Sequence, residues 1–292
     1  MPARTTAPAV RPLREFREVC GVDFSGAKAA GKTMWVARCT PRRRRGRVRL
    51  KLTSLERVDR LCGTVDREPA HRFLVDSIQS SEDAVWAIDF PFGLPVELFP
   101  RGWRSQLGRV RRWTEGAYAF GLDCLDRARR RGGPQHIRRQ TDAEQRVPFD
   151  PYHYRIIYQT FFGMRDVAAP LWDDPQTSVL PFEGDGNAPR VVVEACPATS
   201  LHLMGLPHQN YKQAAGGPLT PKRRRTRRAV LDGLAPWVDV GDRHRRVVMR
   251  DPGADALDAV IAAAGLARGW DATDHAAVAA HRRYPREGRI YA

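Results

Sequence analysis

Three short apolar segments of the chain end in a carboxylate, and these three acids are the first candidates for chemistry. The segments are VCGVD, VWAID and VVVE, which end at Asp23, Asp89 and Glu194. Gly or Pro follows each acid within three residues, as is typical of a strand end. Because ligands of α/β sheets bind beyond the carboxyl ends of strands, these acids could meet in space. A carboxylate at the edge of a core is costly without a cation, so the pattern predicts a cation site.

A predicted helix over residues 252–268 supplies two more acids. Asp255 and Asp258 are three positions apart and therefore share one face of that helix. Asp251 is typical of an N-cap with Pro252 at the first helical position, so Asp255 has a second interpretation, as a charge that complements the helix dipole. Asp258 lies a turn further in, among alanines, where that interpretation does not apply.

Carboxylates are hard oxygen ligands, and this chemistry suits Mg²⁺ or Mn²⁺. Two such ions about 3.5–4 Å apart can activate a water and stabilise the leaving oxygen of a phosphodiester. The eight histidines include no H-E-x-x-H motif. The five cysteines lack C-x-x-C spacing and are expected to be reduced: Cys20, Cys39, Cys62, Cys124 and Cys196. Any bound metal is therefore expected to have oxygen ligands.

The formal net charge of +16 predicts a positive surface field, for which nucleic acid is the obvious polyanionic partner. The alternative is that arginine replaces lysine throughout the chain and that the basic runs are only solvated faces. Basic clusters lie at residues 42–45, 109–112, 129–131 and 222–228.

The chain is expected to form one α/β domain over residues 15–292, preceded by a disordered basic tail over residues 1–14. A largely helical insertion is predicted at about residues 96–190, where aromatic and arginine residues are frequent and the strand pattern is weak. An antiparallel meander should open the domain, and further strands and a surface helix should follow. The predicted strands are 18–24, 33–39, 46–52, 85–90 and 190–195, and the predicted helix is 68–79.

Residues 26–33 fit the P-loop expression G-x-x-x-x-G-K-[ST]. A P-loop requires a helix to begin at Lys32, because that helix and the loop amides hold the phosphates. The sequence continues instead as the β-like segment MWVARC, and Pro41 follows. The expression is therefore interpreted as a coincidence, although its glycines would still let the backbone approach an anion.

Several of these motifs together resemble the domain of unknown function 429 family, whose members are regarded as ribonuclease H-like nucleases. The resemblance implies a mixed five-stranded sheet flanked by helices, with Asp23 on the first strand, Asp89 on the fourth and further acids on the last helix. Glu194 matches the E-x-x-P stretch of the family, but a Glu there is not a ligand in every ribonuclease H-like enzyme. The motifs are GVDFSGA (21–27), AIDFPFGLP (87–95), VVEACPATSLHLMGLP (192–207) with Tyr211-Lys212 after it, DALDAVIAAAGLARG (255–269) and EGRIY (287–291).

The acids of the last helix are also similar to those of Holliday-junction resolvases. The long arginine-rich insertion and the basic tail depart from a compact member of the family.

The leading hypothesis is a Mg²⁺- or Mn²⁺-dependent nuclease, in which Asp23 holds the metals and Asp89 and Asp258 complete the shell. Asp255 or Glu194 would be a further ligand or a base, and the arginine clusters would hold the nucleic-acid backbone. One alternative is an ATP-dependent phosphotransferase of the actin-like and sugar kinase superfold, which usually needs two such domains. The other is an inactive nucleic-acid-binding protein. No apolar run approaches the ~18 residues of a membrane span, and the N-terminus lacks a signal-peptide pattern, so a cytoplasmic location is expected.

Overall fold

The protein is described here by a computed structural model over residues 10–44, 47–182, 186–213 and 216–292. Within those residues one mixed sheet of seven strands carries helices on both faces. The strands are β1 (Glu18–Asp23), β2 (Trp35–Arg44), β3 (Arg47–Arg57), β4 (Ala84–Ile88), β5 (Thr177–Val179), β6 (Arg190–Glu194) and β7 (Val238–Asp239).

The helices are numbered in chain order, and a π-helical segment (Gly163–Ala168) joins the sixth to the seventh. They are α1 (Val58–Cys62), α2 (Arg67–Gln79), α3 (Trp103–Arg112), α4 (Gly116–Arg130), α5 (Gln140–Glu144), α6 (Ile157–Phe162), α7 (Ala169–Trp172), α8 (Pro197–Leu203), α9 (Pro221–Gly233), α10 (Asp242–Arg250), α11 (Asp255–Gly269), α12 (His275–Ala280) and α13 (Tyr284–Glu287).

The strand order across the sheet is β5-β6-β4-β1-β2-β3-β7. The pairs β1–β2 and β2–β3 are antiparallel, which confirms the predicted meander. β4 lies parallel to β1, and β6 lies parallel to β4. The predicted α/β class with a mixed sheet is confirmed, but the predicted count of five strands is wrong. The two additional strands, β5 and β7, have three and two residues and are too short to leave a periodic pattern in the sequence.

Successive side chains of the central strands point to opposite faces of the sheet, and each face has its own core. On β1, Cys20 and Val22 pack with α2 and the helices of the insertion. Val19, on the other face, packs in the core that contains the apolar residues of α11. β4 alternates in the same way, since Trp86 belongs to the first core and Val85 to the second. The sheet is therefore buried on both sides, and the faces are called here the insertion face and the α11 face.

Helix α11 lies directly on β1 because Gly21 has no side chain. A Cβ atom at Gly21 would lie 2.0 Å from the carbonyl oxygen of Ala259, closer than any real Cβ contact. α11 is buried continuously from Ala256 to Leu266. The helix was predicted to begin at residue 252, but it begins at Asp255, because Ala254 has φ +69° and is in the left-handed conformation.

The described residues between 96 and 189 include α3 to α7, the π-helical segment and the short β5. Part of the predicted disordered tail is ordered. Leu13 is fully buried, and its N–H donates to Asp271 Oδ1 over 2.8 Å. Residues 1–9 lie outside the described residues. The chain therefore joins its fold several residues earlier than the composition predicts.

A 3₁₀ turn (Ala30–Lys32) occupies the end of the P-loop expression, and β2 follows it. The helix that a P-loop requires is not formed there, in agreement with the interpretation of that motif as a coincidence. The five cysteines are free thiols. No helix in the parts of the chain that the structure describes is both long and apolar enough to cross a membrane.

Candidate active site

Asp23 and Asp89 lie side by side at the carboxyl ends of two neighbouring parallel strands. Val22 pairs with Ile88 in the β1–β4 register, and the Asp89 N–H donates to the Val22 carbonyl oxygen over 3.0 Å. Gly21 and Ala87 face α11, and Asp23 and Asp89 follow them by two positions. Because side chains alternate along a strand, both acids also face that helix. The pair forms the sheet half of the candidate site.

Helix α11 contributes the other half through Asp255 and Asp258. Asp258 is almost completely buried, with 1% of its surface exposed, whereas Asp255 is partly accessible. Asp251 accepts a hydrogen bond from the Ala256 N–H over 2.9 Å and so caps the first turn. Because Asp251 caps the helix, Asp255 and Asp258 are available for another role. The non-glycine residue Ala254 in left-handed conformation is a strained position directly before them.

Burial and neighbouring carboxylates raise the pKa values of Asp23, Asp89 and Asp255. Burial, followed by the charge of Asp258, raises the pKa of Asp23 well above its ordinary value, and Asp255 and Asp89 act in the same direction. Burial and Asp258 raise the pKa of Asp89 to about 8. Burial and Asp251 raise the pKa of Asp255 to about 7. The fold therefore disfavours ionisation of all these carboxyl groups at once.

Lys212 and Tyr211 provide the groups that contact Asp258. The Lys212 Nζ forms an ion pair with Asp258 Oδ2, and the Tyr211 hydroxyl donates to Asp258 Oδ1 over 3.0 Å. Tyr211 is buried, but the Lys212 side chain is 48% exposed. Lys212 can therefore leave Asp258 without disrupting the core.

Arg227 holds the segment that carries these two residues. Its guanidinium is fully buried and donates to the carbonyl oxygens of Tyr211 (2.7 Å), Val248 (2.8 Å), Pro252 (2.7 Å) and Asp251. These bonds connect the Tyr211-Lys212 segment to the residues that precede α11. Arg227 thus belongs to the architecture of the site, although the sequence placed it only in a basic cluster.

A cleft of about 470 Å³ is lined by two of the aspartates, Asp89 and Asp258, and by Tyr211 and Lys212. Arg223 of α9 also lines the cleft. Its Nη1 donates to Gln213 Oε1 over 2.8 Å, while its Nε is buried and has no hydrogen-bond partner among the described residues. The cleft therefore combines acids with a guanidinium, an arrangement suited to a ligand that carries an anion beside a cation.

Glu194 lies at the end of β6, but the structure does not bring it together with the aspartates. Its partner in the β4–β6 register is Ile88 rather than Asp89, so its side chain points to the insertion face. There Arg139 donates to both carboxylate oxygens, over 2.7 Å and 2.5 Å, and the Phe92 N–H donates over 2.9 Å. All of these groups are buried. Glu194 thus has a full set of partners in the core of the insertion face.

Sequence reasoning named Asp23, Asp89, Asp255 and Asp258, which the structure brings to one edge of the sheet. It did not assign roles to Lys212, Arg223, Arg227 or Arg139. Tyr211-Lys212 could have been found, because it is one of the motifs in the family resemblance. The two arginines of α9 could not be separated from their basic neighbours by composition.

The basic clusters differ in how much of their charged surface is exposed to solvent. In α9, Lys222 and three arginines are exposed, whereas Arg227 is buried. Residues 129–131 are exposed. Arg42 is exposed, and residue 45 of that cluster lies outside the described residues. The exposed groups of α9 lie on the same helix as Arg223: Lys222, Arg224, Arg225 and Arg228.

Within the residues that the structure describes, no three His, Cys, Asp or Glu side chains are arranged to hold a metal ion as they stand. In this arrangement Lys212 is the cation that faces Asp258.

Comparisons with protein-family models, with curated proteins and with solved structures find no match to this chain.

Proposed function

We propose that the protein is a Mg²⁺- or Mn²⁺-dependent hydrolase of phosphodiester bonds in nucleic acid. The observation that carries the proposal is the meeting of aspartates from the ends of β1 and β4 and from α11, two of which, Asp89 and Asp258, line a cleft together with Arg223. A metal held by carboxylates activates a water and stabilises the leaving oxygen of a phosphodiester. The arginine is suited to the phosphate itself.

The donor set suits such a metal. Asp23, Asp89 and Asp258 offer only oxygen atoms, and burial and mutual repulsion raise the pKa values of the first two. A divalent cation would remove that repulsion and let the carboxylates ionise. We propose that these three residues hold it and that Asp255 assists. Lys212 would first leave Asp258, which its exposed side chain permits.

Glu194 has a different role in this proposal. Its carboxylate is occupied by Arg139 on the insertion face, and its contribution is to join that insertion to the sheet. The residues that act on substrate are therefore the aspartates on the α11 face and Arg223.

The order of the central strands supports a ribonuclease H-like fold. β3-β2-β1-β4-β6 forms a five-stranded core in which only β2 is antiparallel to the others, with β5 and β7 added at its two edges. The resemblance of the acidic motifs to a family of ribonuclease H-like nucleases points the same way. The exposed basic residues of α9, the helix that carries Arg223, support a nucleic-acid substrate.

Metal-dependent cleavage is the direct test. The purified protein is expected to cut at least one of single-stranded, duplex, hybrid and branched nucleic acids when Mg²⁺ or Mn²⁺ is present, and EDTA should stop the reaction. Gel electrophoresis of end-labelled substrates measures both results. Absence of cleavage with either metal on all four substrates, together with a melting temperature raised by ATP, would instead favour the phosphotransferase hypothesis. Binding to these substrates with neither cleavage nor an effect of ATP would favour an inactive nucleic-acid-binding protein.

Lys212→Gln tests whether the lysine occupies the position of the metal. The free energy of unfolding of the metal-free protein should fall by about 1–3 kcal/mol, because buried Asp258 loses its cation. Mn²⁺ should raise the melting temperature of this variant more than that of the wild type, since no lysine competes with it. Differential scanning fluorimetry with and without Mn²⁺ measures both effects.

Lys222→Gln, an exposed lysine on α9, is the matched control and should behave as the wild type. An equal gain from Mn²⁺ in wild type and Lys212→Gln would mean that Lys212 and the metal do not share Asp258.

A further inference from the structure

A second cleft, of about 420 Å³, lies in the helical insertion and is lined by four arginines. It is called here the arginine pocket, and its lining does not include any of the four aspartates described above. Leu98, Phe99, Pro100 and Trp113 form its apolar wall. The arginines are Arg101, Arg109, Arg112 and Arg127.

The pocket is built by one face of α3. Ser105, Arg109 and Arg112 are spaced i, i+4 and i+7 and therefore lie on the same side of the helix. The other side of α3 is buried, and its Gln106 forms two hydrogen bonds with Leu94, through the Leu94 N–H (2.8 Å) and carbonyl oxygen (3.0 Å). Since Leu94 is in the segment that follows Asp89, α3 is fixed to the sheet while its basic face remains open.

Two of the arginines are oriented by neighbours inside the fold. Asp123 accepts from Arg109 Nη2 and from Arg127 Nε, each over 2.8 Å. The Arg109 guanidinium lies 5.0 Å from the centre of the Trp113 ring, and that of Arg127 lies 5.0 Å from the centre of the Phe99 ring. Acid and rings hold the guanidinium planes in place, so these groups are positioned before a ligand arrives.

The pocket has more arginine side chains than carboxylates to pair with them. Asp123 is shared by two arginines, and neither Arg101 nor Arg112 forms an ion pair with any residue that the structure describes. Arg109 Nε is buried and has no hydrogen-bond partner within the same residues. The two arginines without an ion pair therefore leave positive charge that an anionic ligand would neutralise.

We infer that the arginine pocket binds a phosphate monoester group, such as that of a nucleoside monophosphate or of the 5′ end of a nucleic-acid strand. Several guanidinium forks around one cleft match a doubly charged phosphate, whose oxygens accept paired N–H bonds. A single carboxylate would leave more of the positive charge uncompensated. The inference does not depend on hydrolysis at the aspartates.

Binding is measured with the metal chelated by EDTA, at one fixed salt concentration. The probes are a 3′-labelled single-stranded oligonucleotide with a 5′-phosphate and the same strand with a 5′-hydroxyl. Fluorescence anisotropy should show that the phosphorylated strand binds about tenfold more tightly, the effect of about one charge-assisted contact. Adenosine monophosphate and adenosine serve as competitors.

Arg112→Ala and Arg101→Ala should each remove most of the preference for the 5′-phosphate, and because both side chains are exposed, both variants should fold. Arg129→Ala is the matched control, since Arg129 is exposed on α4 but does not line the pocket.

Competition by adenosine monophosphate but not by adenosine would identify a free nucleotide as a ligand, whereas preference for the phosphorylated strand without such competition would identify the strand end. The inference is overturned if the phosphate changes neither measurement, or if the preference survives in both pocket variants.

Discussion

Replacing Asp89 by asparagine is expected to abolish metal-dependent cleavage and at the same time to stabilise the metal-free protein. Cleavage should fall by more than about 100-fold, since loss of a group that merely supports a metal ligand already costs about 10- to 100-fold. Asparagine keeps the shape of the side chain and removes its charge. Because the carboxylate is surrounded by other acids, the melting temperature without metal should rise, by an amount equivalent to about 0.5–2 kcal/mol.

The stabilising effect of Asp89→Asn should depend on pH. The pKa of Asp89 is about 8 in the fold, against an ordinary value of 3.8. Between these values the folded wild type binds more protons at Asp89 than the unfolded chain does, so wild-type stability decreases as pH rises. The advantage of the variant should therefore be smallest near pH 4 and should increase up to about pH 8. Melting temperatures over that range, with EDTA present, measure the trend.

Asp76→Asn is the matched control, since Asp76 is exposed on α2, which packs on the insertion face of the sheet rather than on the α11 face. It should change neither cleavage nor the pH dependence of stability. Full activity of Asp89→Asn would remove this residue from the proposed metal site. Loss of activity with a lower melting temperature would mean that Asp89 supports the fold rather than the chemistry.

Replacing Arg139 by methionine should produce the largest loss of stability. Arg139 is 1% exposed, and it pairs with two buried carboxylates: Glu194, and Asp142 through Nη2 (2.7 Å) and Nε (3.0 Å). Methionine keeps much of the volume but leaves both acids without their cation. Breaking a buried pair in this way costs about 3–5 kcal/mol. The shift of the denaturant midpoint measures the loss.

Arg138→Met changes the neighbouring exposed arginine and should leave the midpoint nearly unchanged. Glu194→Gln provides a second measurement, because it removes one partner of Arg139 and should also lower the midpoint. A Glu194→Gln variant with unchanged stability and a raised metal requirement would instead make Glu194 a metal ligand.

The comparison of Glu194 with Asp89 shows where sequence patterns stop being informative. Both acids end an apolar strand and have proline shortly after them, so the pattern treats them alike. What separates them is strand register, since Glu194 is level with Ile88 and a shift of one residue changes the face. Register is decided by contacts between strands distant in the chain. The partner of Glu194, Arg139, is 55 positions away, and no local signal connects the two.

The acids of α11 were predictable for a local reason. Their spacing of three positions places them on one face in any helix, and Asp258 among alanines has no capping role there. The start of the helix was not predictable in the same way, because Asp251 and Pro252 are typical of a helix that begins at residue 252. The left-handed conformation of Ala254 instead places the first helical residue at Asp255, and the Asp251 side chain caps the first turn from outside the helix. No role was assigned to Lys212, because α9, β7 and α10 separate it from Asp258 along the chain.

The continuous burial of α11 decides which parts of the site can adapt to a ligand. A helix enclosed from Ala256 to Leu266, with its backbone against Gly21, has no room to shift or rotate. Asp23, Asp89 and Asp258 are thus attached to a rigid frame. Lys212, on a half-exposed side chain in the segment that Arg227 holds, is free to change position. Recruitment of a cation would then be a local exchange of one counterion for another, complete on the timescale of a side-chain rotation rather than of a domain closure.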